Sequence, residues 1–426
     1  MSPDPGFSIK IDQNRYLPEG GKEVHAIVTV ESAGRATAGP STATVSVVII
    51  IDTSGSMAGS NKMSAAKKAA SAAVDALRDG VGFAVVAGTG NAELIYPHAG
   101  LATVNARTRA DAHTAIGRLR ANGGTAIGAW LKLADQLLSG AEAGIRHAIL
   151  LTDGQNGESA KTFGKALADC EGRFVCDCRG VGTDWKVEEL RRVASTLLGT
   201  VDIVAKPNDL TADFQAMIEA AMGKEVADVV LRVWTPQSST LRFLKQVLPT
   251  VEDLTGRRAD GGPLAGDYPL GAWGAESRDY HLCVEVPPGA VGREMRAGWA
   301  KLVIGGEVVA TGNILAEWTD DEALSTRINP HVAHYTGQAE LASAIQEGLQ
   351  ARKDGDVEVA TARLGRAVKL ATESGNEAIS ALLGKVVDVE DPATGTVRLK
   401  KNVDKADEMS LDTRSTKTVR TRKDQG

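Results

Sequence analysis

Asp52, Ser54 and Ser56 stand at alternate positions in the segment Asp52-Thr53-Ser54-Gly55-Ser56. One carboxylate and two hydroxyls so spaced can aim their oxygens at a common point. Hard oxygen donors of this kind suit Mg²⁺ rather than zinc. The segment follows an apolar run, Val45-Ser46-Val47-Val48-Ile49-Ile50-Ile51, which has the length and β-branched content of a buried parallel strand. The three oxygens therefore leave the carboxyl end of a strand, the edge at which open α/β sheets bind ligands. Capping of a following helix and turn by Asp52 and Ser56 would account for these residues alone. It would not account for two segments downstream. Asn122-Gly123-Gly124-Thr125 leads into a helical pattern over 127–138, and Leu150-Leu151-Thr152-Asp153-Gly154 ends a second strand-like run over 145–151.

In order and context these three loops resemble the von Willebrand factor type A family and its metal-ion-dependent adhesion site. The resemblance covers roughly residues 45–222, and all five metal-site positions match. It implies that Asp52, Ser54, Ser56, Thr125 and Asp153 hold Mg²⁺, with Mn²⁺ or Ca²⁺ as alternatives. By the same resemblance Ser54, Ser56 and Thr125 are direct ligands, while Asp52 and Asp153 supply most of the negative charge. It leaves one coordination position open for an acidic side chain of a protein partner, and it makes the first and last helices of the domain the elements that move on ligation.

The surrounding elements must hold these loops at one edge. Helical spacing over 63–77 puts Met63, Ala66, Ala70, Val74 and Leu77 on one face. Strands over 81–87, 145–151, 173–178 and 201–204 alternate with helices over 107–119, 127–138, 161–168, 187–197 and 210–222. Such alternation implies parallel βαβ units in a doubly wound sheet.

At 426 residues the chain should hold two or three domains. An aromatic content of 4% leaves core packing to aliphatic and alanine side chains, and a net charge of −6 argues against a general nucleic-acid binder. No apolar stretch approaches the ~20 residues of a membrane span. The start, Met1-Ser2-Pro3-Asp4-Pro5-Gly6, has neither a basic region nor an apolar one, so a cytoplasmic protein is expected. In that setting Cys170, Cys176, Cys178 and Cys283 read as buried thiols, with a disulfide from Cys170 to Cys176 or Cys178 as the alternative. The chain has no phosphate-binding P-loop, no H-E-x-x-H and no G-x-S-x-G. His331 and His334 could share a helix face but lack a third ligand in view. Ser54 lacks a histidine partner, so the ion reads as adhesive rather than catalytic and the protein as no enzyme.

The flanks read as a second domain in two pieces. Alternating runs at 7–11 and 24–30 are too few to bury a face alone. They should pair with strand-like runs at 229–235, 241–247, 279–286, 297–304 and 307–315, which turn signals separate as in an antiparallel sandwich. The organisation is then N-terminal strands over 1–44, the parallel-sheet domain over 45–224 inserted in the sandwich, the rest of the sandwich over 225–318, a small helical bundle over 319–390, and a tail over 391–426. The bundle's hairpin is faintly like one tetratricopeptide repeat, which cannot bury a core by itself. The tail, poor in large apolar residues, should be disordered. Thr413, Thr416 and Thr418 in its hydroxyl-rich basic end are candidate phosphorylation sites, for a serine/threonine kinase or a phosphothreonine-reading domain. The whole chain resembles actinobacterial type A proteins associated with kinases, phosphatases and forkhead-associated domains. Two other functions stay open: a regulatory subunit for an AAA+ ATPase, as in chelatases, and RNA handling, as in Ro-type proteins.

Overall fold

The computed structural model describes residues 6–34, 44–59, 61–141 and 144–420. The start of the chain, read above as lacking a leader, falls largely outside these residues, as does the tail beyond residue 420. Two compact units form, one from residues 1–37 with 228–426 and one from residues 38–227. The chain enters the first through β1 (Phe7–Gln13), β2 (Tyr16–Pro18) and β3 (Glu23–Ala33).

The second unit runs β4 (Val45–Asp52), α1 (Lys62–Ala76), β5 (Gly82–Gly88), β6 (Ala92–Tyr96), β7 (Ala102–Thr103), α2 (Ala106–Gly117) and α3 (Ile127–Ser139). It continues with β8 (Ile145–Thr152), α4 (Ala160–Cys170), β9 (Val175–Val181), α5 (Val187–Thr196), β10 (Val201–Val204) and α6 (Leu210–Met222). The sheet order is β10-β9-β8-β4-β5-β6, with β7 also on β5. The first five strands are parallel, and β6 and β7 add antiparallel pairings. Every residue of β4 is buried, as its unbroken apolar run requires of a central strand covered on both faces. In α1, Ala65, Ala66, Ala69, Ala70, Ala73 and Val74 are buried, and their small side chains let the helix lie close to its neighbours. The strand β6 had no counterpart in the sequence reading, because its half-buried residues lack a clean alternation.

All four cysteines are free and buried. The alternative of a disulfide from Cys170 is therefore set aside. Cys176 and Cys178 share one face of β9 with their sulfurs 4.0 Å apart, the geometry of an i, i+2 pair on a strand. Burial first, then Asp135 and Asp169, pushes the Cys170 thiol up to about 12, so it is a packing group rather than a nucleophile.

The first unit resumes with β11 (Val226–Trp234), β12 (Thr240–Leu248), β13 (Glu252–Asp253), β14 (Ala259–Asp260), β15 (Ala265–Trp273), β16 (Ala275–Glu285), β17 (Glu294–Ile304) and β18 (Glu307–Thr319). Two sheets result, ordered β1-β3-β16-β12-β13 and β14-β15-β11-β17-β18-β2. Strand β3 pairs antiparallel with β16 over its whole length, so strands from before and after the parallel-sheet unit share one sheet. Phe7 of the first sheet meets Trp273 of the second, ring centres 5.6 Å apart. The overall class is a doubly wound α/β unit inserted in an antiparallel β structure, with helices following.

Those helices are α7 (Glu322–Ser325), α8 (Pro330–Lys353), α9 (Val357–Ser374) and α10 (Glu377–Val386). The expected disordered tail is a correction. Residues 391–420 carry the second strand of a hairpin, β19 (Val387–Asp391) with β20 (Thr396–Leu399), and a helix, α11 (Lys405–Arg414). The reason is packing by few residues. Leu411 is fully buried in the cluster built by Leu341, Ile345, Leu364, Leu383 and Val397. Beyond α11 the chain returns to the sheet, where the Val251 amide donates to the Thr416 carbonyl at 2.8 Å and the Thr418 amide to the Pro249 carbonyl at 3.0 Å. Of the histidine pair on α8, His334 uses Nε2 on the Val419 carbonyl at 2.7 Å, so it anchors this segment.

Candidate metal centre at the sheet edge

Each of the three loops leaves the structure where chain direction dictates. Asp52 closes β4, Asp153 follows β8, and Thr125 precedes α3. Backbone bonds lock the loops together. The Gly55 amide donates to the Gly123 carbonyl at 2.9 Å, Asn122 to Thr53 at 2.7 Å and Gly157 to Thr125 at 2.8 Å. Gly123 sits at φ +82°, a left-handed conformation that favours glycine. The first amides of α3, which have no partner within the helix, are met by side chains of the loop after β8. Asn156 accepts from Ile127 at 3.1 Å and Glu158 accepts from Gly128 at 2.6 Å. These carboxyl and amide groups cap a helix that has no capping residue of its own, and sequence reading missed them because donor and acceptor lie about thirty residues apart. From α3, Trp130 reaches back and donates to the Thr89 carbonyl at 2.7 Å.

The five predicted residues meet. A methyl group built on Gly154 would lie 3.0 Å from Thr125 Oγ1, 3.2 Å from Ser56 Oγ and 3.7 Å from Asp52 Oδ2. That glycine leaves the space on which three loops converge. Ser54 Oγ and Ser56 Oγ are 2.9 Å apart, and Ser56 donates to Asp153 Oδ1 at 2.6 Å. Asp52 Oδ1 accepts from the Ser54 amide at 2.7 Å, and Asp52 Oδ2 accepts from the Thr152 hydroxyl at 2.5 Å. Both carboxylates are wholly buried, while Ser56 is exposed and Thr125 half-buried. Burial, followed at the end by the charge of Asp153, pushes the Asp52 carboxyl up against the hydrogen bonds that pull it down. Two buried carboxylates side by side call for positive charge.

Part of that charge comes from a residue the sequence reading overlooked. Lys62, at the start of α1, donates to Asp153 Oδ2 at 2.7 Å and to Asp184 Oδ2 at 3.2 Å. Burial works against its ammonium, but Asp153 and then Asp184 outweigh it and raise its pKa. The only sequence signal was a lysine ten residues after Asp52, which no pattern links to position 153. The donor set at the cradle is all oxygen, which fits a hard divalent ion.

A family model described as von Willebrand factor type A domain matches residues 45–203, and one described as von Willebrand factor type A C-terminal domain matches residues 369–415. A solved von Willebrand factor type A protein from Catenulispora acidiphila is 52% identical, with 99% of this chain and 98% of that one covered and a TM-score of 0.93. The chain belongs to the von Willebrand factor type A family. The C-terminal match includes α11, so the segment first read as a loose tail is part of a recurrent domain. The ArnB paralog VWA2 from Sulfolobus acidocaldarius, 15% identical with 96% of this chain and 98% of that one covered and a TM-score of 0.59, shares the fold alone. An uncharacterized Synechocystis protein is 27% identical over 218 residues, which is 50% of each. This type A chain thus spans about half the length of that curated relative. No helix among its described residues is long and apolar enough to cross a membrane.

The residues named as modification candidates are packed against the rest of the unit. Thr413 is buried, and Thr418 Oγ1 donates to the Val247 carbonyl at 2.7 Å. Thr416 is half-buried, with its carbonyl engaged by Val251.

Proposed function

We propose that the protein is a non-enzymatic interaction module of the cytoplasm in which Asp52, Ser54, Ser56, Thr125 and Asp153 hold Mg²⁺ and a partner's carboxylate completes the ion's coordination. The observation that carries this reading is the convergence of Thr125, Ser56 and Asp52 oxygens on the space above Gly154. When bound, the ion supplies a Lewis-acidic positive charge to the partner's carboxylate. The chain's own residues do the rest. Asp52 and Asp153, kept from water, set the charge of the site, and the loop-to-loop amide bonds fix where the hydroxyls point. A cleft of about 690 Å³ beside the site is lined by Thr53, Thr89, His98, Arg118, Arg120 and Asn122. Glu93 lines it too, but the two exposed arginines leave the cleft net basic, which suits an acidic protein segment. A role in kinase, phosphatase or forkhead-associated signalling would act through the C-terminal segment. Since Thr413 is buried and Thr418 is hydrogen-bonded there, a kinase would reach them only after the segment lifts.

The test is affinity capture from source-cell lysate with wild type and Thr125→Ala in Mg²⁺ and in EDTA, both baits checked for folding. Partners retained by wild type in Mg²⁺ and lost in EDTA and in the variant support the reading. An AAA+ ATPase or RNA among them would select the corresponding alternative. Partners indifferent to both conditions would refute the metal as the adhesive group.

A further inference from the structure

One face of the β3–β16 ladder gathers five groups with metal-binding chemistry, Glu23, His25, His281, Cys283 and Glu285. Cys283 stands opposite His25, Glu285 opposite Glu23 and His281 opposite Ile27. Side chains alternate along a strand, so Glu23, His25 and Ile27 share one face and Val24, Ala26 and Val28 the other; on the first, Ile27 is covered by Val332 and Tyr335 while His25 and Glu23 reach the edge of that cover. His281 and Cys283 project beside them. His25 Nε2 lies 3.8 Å from Cys283 Sγ and 3.8 Å from Glu23 Oε2. The ligand atoms of Glu23, His25 and Cys283 all lie within 4.8 Å of one another. His25 Nδ1 is 3.1 Å from His281 Nε2. With that nitrogen accepting, His25 carries its proton on Nδ1 and turns the lone pair of Nε2 towards the sulfur and the carboxylate.

We propose that Glu23, His25 and Cys283 form a Zn²⁺ site, with His281 orienting the His25 ring. The donors are one thiolate, one imidazole and one carboxylate, the mixture zinc accepts and Mg²⁺ does not. Zinc bonds of 2.0–2.3 Å in a tetrahedron put neighbouring ligand atoms about 3.5 Å apart. The observed 3.8 Å separations therefore need only tenths of an ångström of adjustment, and Glu23, whose side chain is 59% exposed, can swing to close the remainder. The imidazole has its other nitrogen held by a hydrogen bond, as ligating histidines do. Phe243 stands opposite Cys283 on β12 and sets its ring edge-on to His281 at 5.0 Å, with the Lys245 ammonium 5.2 Å from that ring, so an aromatic wall carrying one cation closes this side. On binding, the thiol proton leaves to bulk water and a thiolate–zinc bond forms. Three protein ligands leave a fourth position for water. The ion ties a strand that precedes the inserted unit to one that follows it, so binding adds to the stability of the sheet that joins the two ends of the chain.

Sequence reading passed over this site because Glu23-x-His25 and His281-x-Cys283 are each too short to signal and lie some 256 positions apart. The experiment uses the full-length protein, stripped with EDTA and titrated with Co²⁺ and then Zn²⁺. A thiolate-to-cobalt charge-transfer band in the near ultraviolet is expected at one equivalent, displaced by Zn²⁺, absent in Cys283→Ser and retained in Thr125→Ala, whose altered site offers only oxygens. Failure of wild type to give the band, or its survival in Cys283→Ser, overturns the proposal. Should Cys283→Ser not fold, Glu23→Gln serves, since its side chain is largely in water. At least a fivefold loss of cobalt affinity supports the site, and an unchanged affinity overturns it.

Discussion

Replacing Lys62 with methionine should tighten Mg²⁺ binding while loosening the metal-free protein. The Lys62 ammonium lies 2.7 Å from Asp153 Oδ2, with 13% of its side chain exposed against a fully buried partner. It thus occupies charge that a divalent ion would also use. Any ion that Asp153 holds, directly or through water, lies on the order of 5 Å from that ammonium. Repulsion between a unit charge and a divalent one at about 5 Å is roughly 1.7 kcal/mol in a dielectric of 80 and several times that in one of 20. Ser56 opens the site to solvent, but Lys62 and Asp153 are largely buried, so the lower figure is a floor, and removing the ammonium should raise Mg²⁺ affinity at least about tenfold. Without metal, the same change strips a buried carboxylate of a charged donor, at a cost of about 1–3 kcal/mol. Isothermal titration of Mg²⁺ and Mn²⁺ into EDTA-stripped Lys62→Met reads the first effect, and urea unfolding in EDTA reads the second. Equal or weaker Mg²⁺ binding by a folded variant would refute the view that Lys62 and the ion compete for Asp153.

Three further outcomes are expected. Gly88→Ala would put a methyl 2.4 Å from the Trp130 ring, so stability should fall by about 1–3 kcal/mol and Mg²⁺ affinity with it, because Trp130 anchors the Thr125 loop; equilibrium unfolding and titration of the one variant check both. Burial opposes ionisation of Asp177, but its 2.9 Å pairing with His147, helped by Arg179 and Thr200, holds the carboxyl well below the usual carboxylate range. Its stabilisation is therefore complete above the unfolded value of about 4 and is lost as pH falls through the lower folded value, so Asp177→Asn should be on the order of 3 kcal/mol less stable at neutral pH, with the gap closing as denaturation curves are taken below about pH 4. Leu411→Ala should cost about 2–4 kcal/mol in thermal or urea unfolding, whereas a loose tail would register nothing.

The metal loops were legible because their chemistry lies in local sequence. A strand such as 45–52 announces itself by an unbroken β-branched run, and the acid and hydroxyls that follow it keep their spacing whatever surrounds them. The alternation of helices and strands gave the parallel order for the same reason. The cross-loop partners were not legible. Lys62 on Asp153, Asn156 and Glu158 on the start of α3, and His25 beside Cys283 are pairs that only tertiary contact brings together. No periodicity marks them, and each residue alone has an ordinary explanation on a solvated surface.

The C-terminal segment went astray for a different reason. Disorder was inferred from mean composition, but docking depends on where a few apolar groups fall. In α11, Met409 and Leu411 turn inward, and Leu411 is fully buried. Three hydroxyls of the segment that looked solvated are spent on capping and docking, and that of Thr413 is buried. Ser415 Oγ donates to the Asp412 carbonyl at 2.8 Å, Ser410 Oγ to Ala406 at 2.6 Å and Thr418 Oγ1 to Val247 at 2.7 Å. Main-chain bonds to Pro249 and Val251 add strand-like support that no side-chain pattern encodes. A polar segment of this kind needs a prebuilt surface, and here α8, α9 and α10 supply it. Its order is therefore conditional on the bundle, and disturbing the bundle at Leu364 or Leu383 should release the segment before the sheet beneath it unfolds.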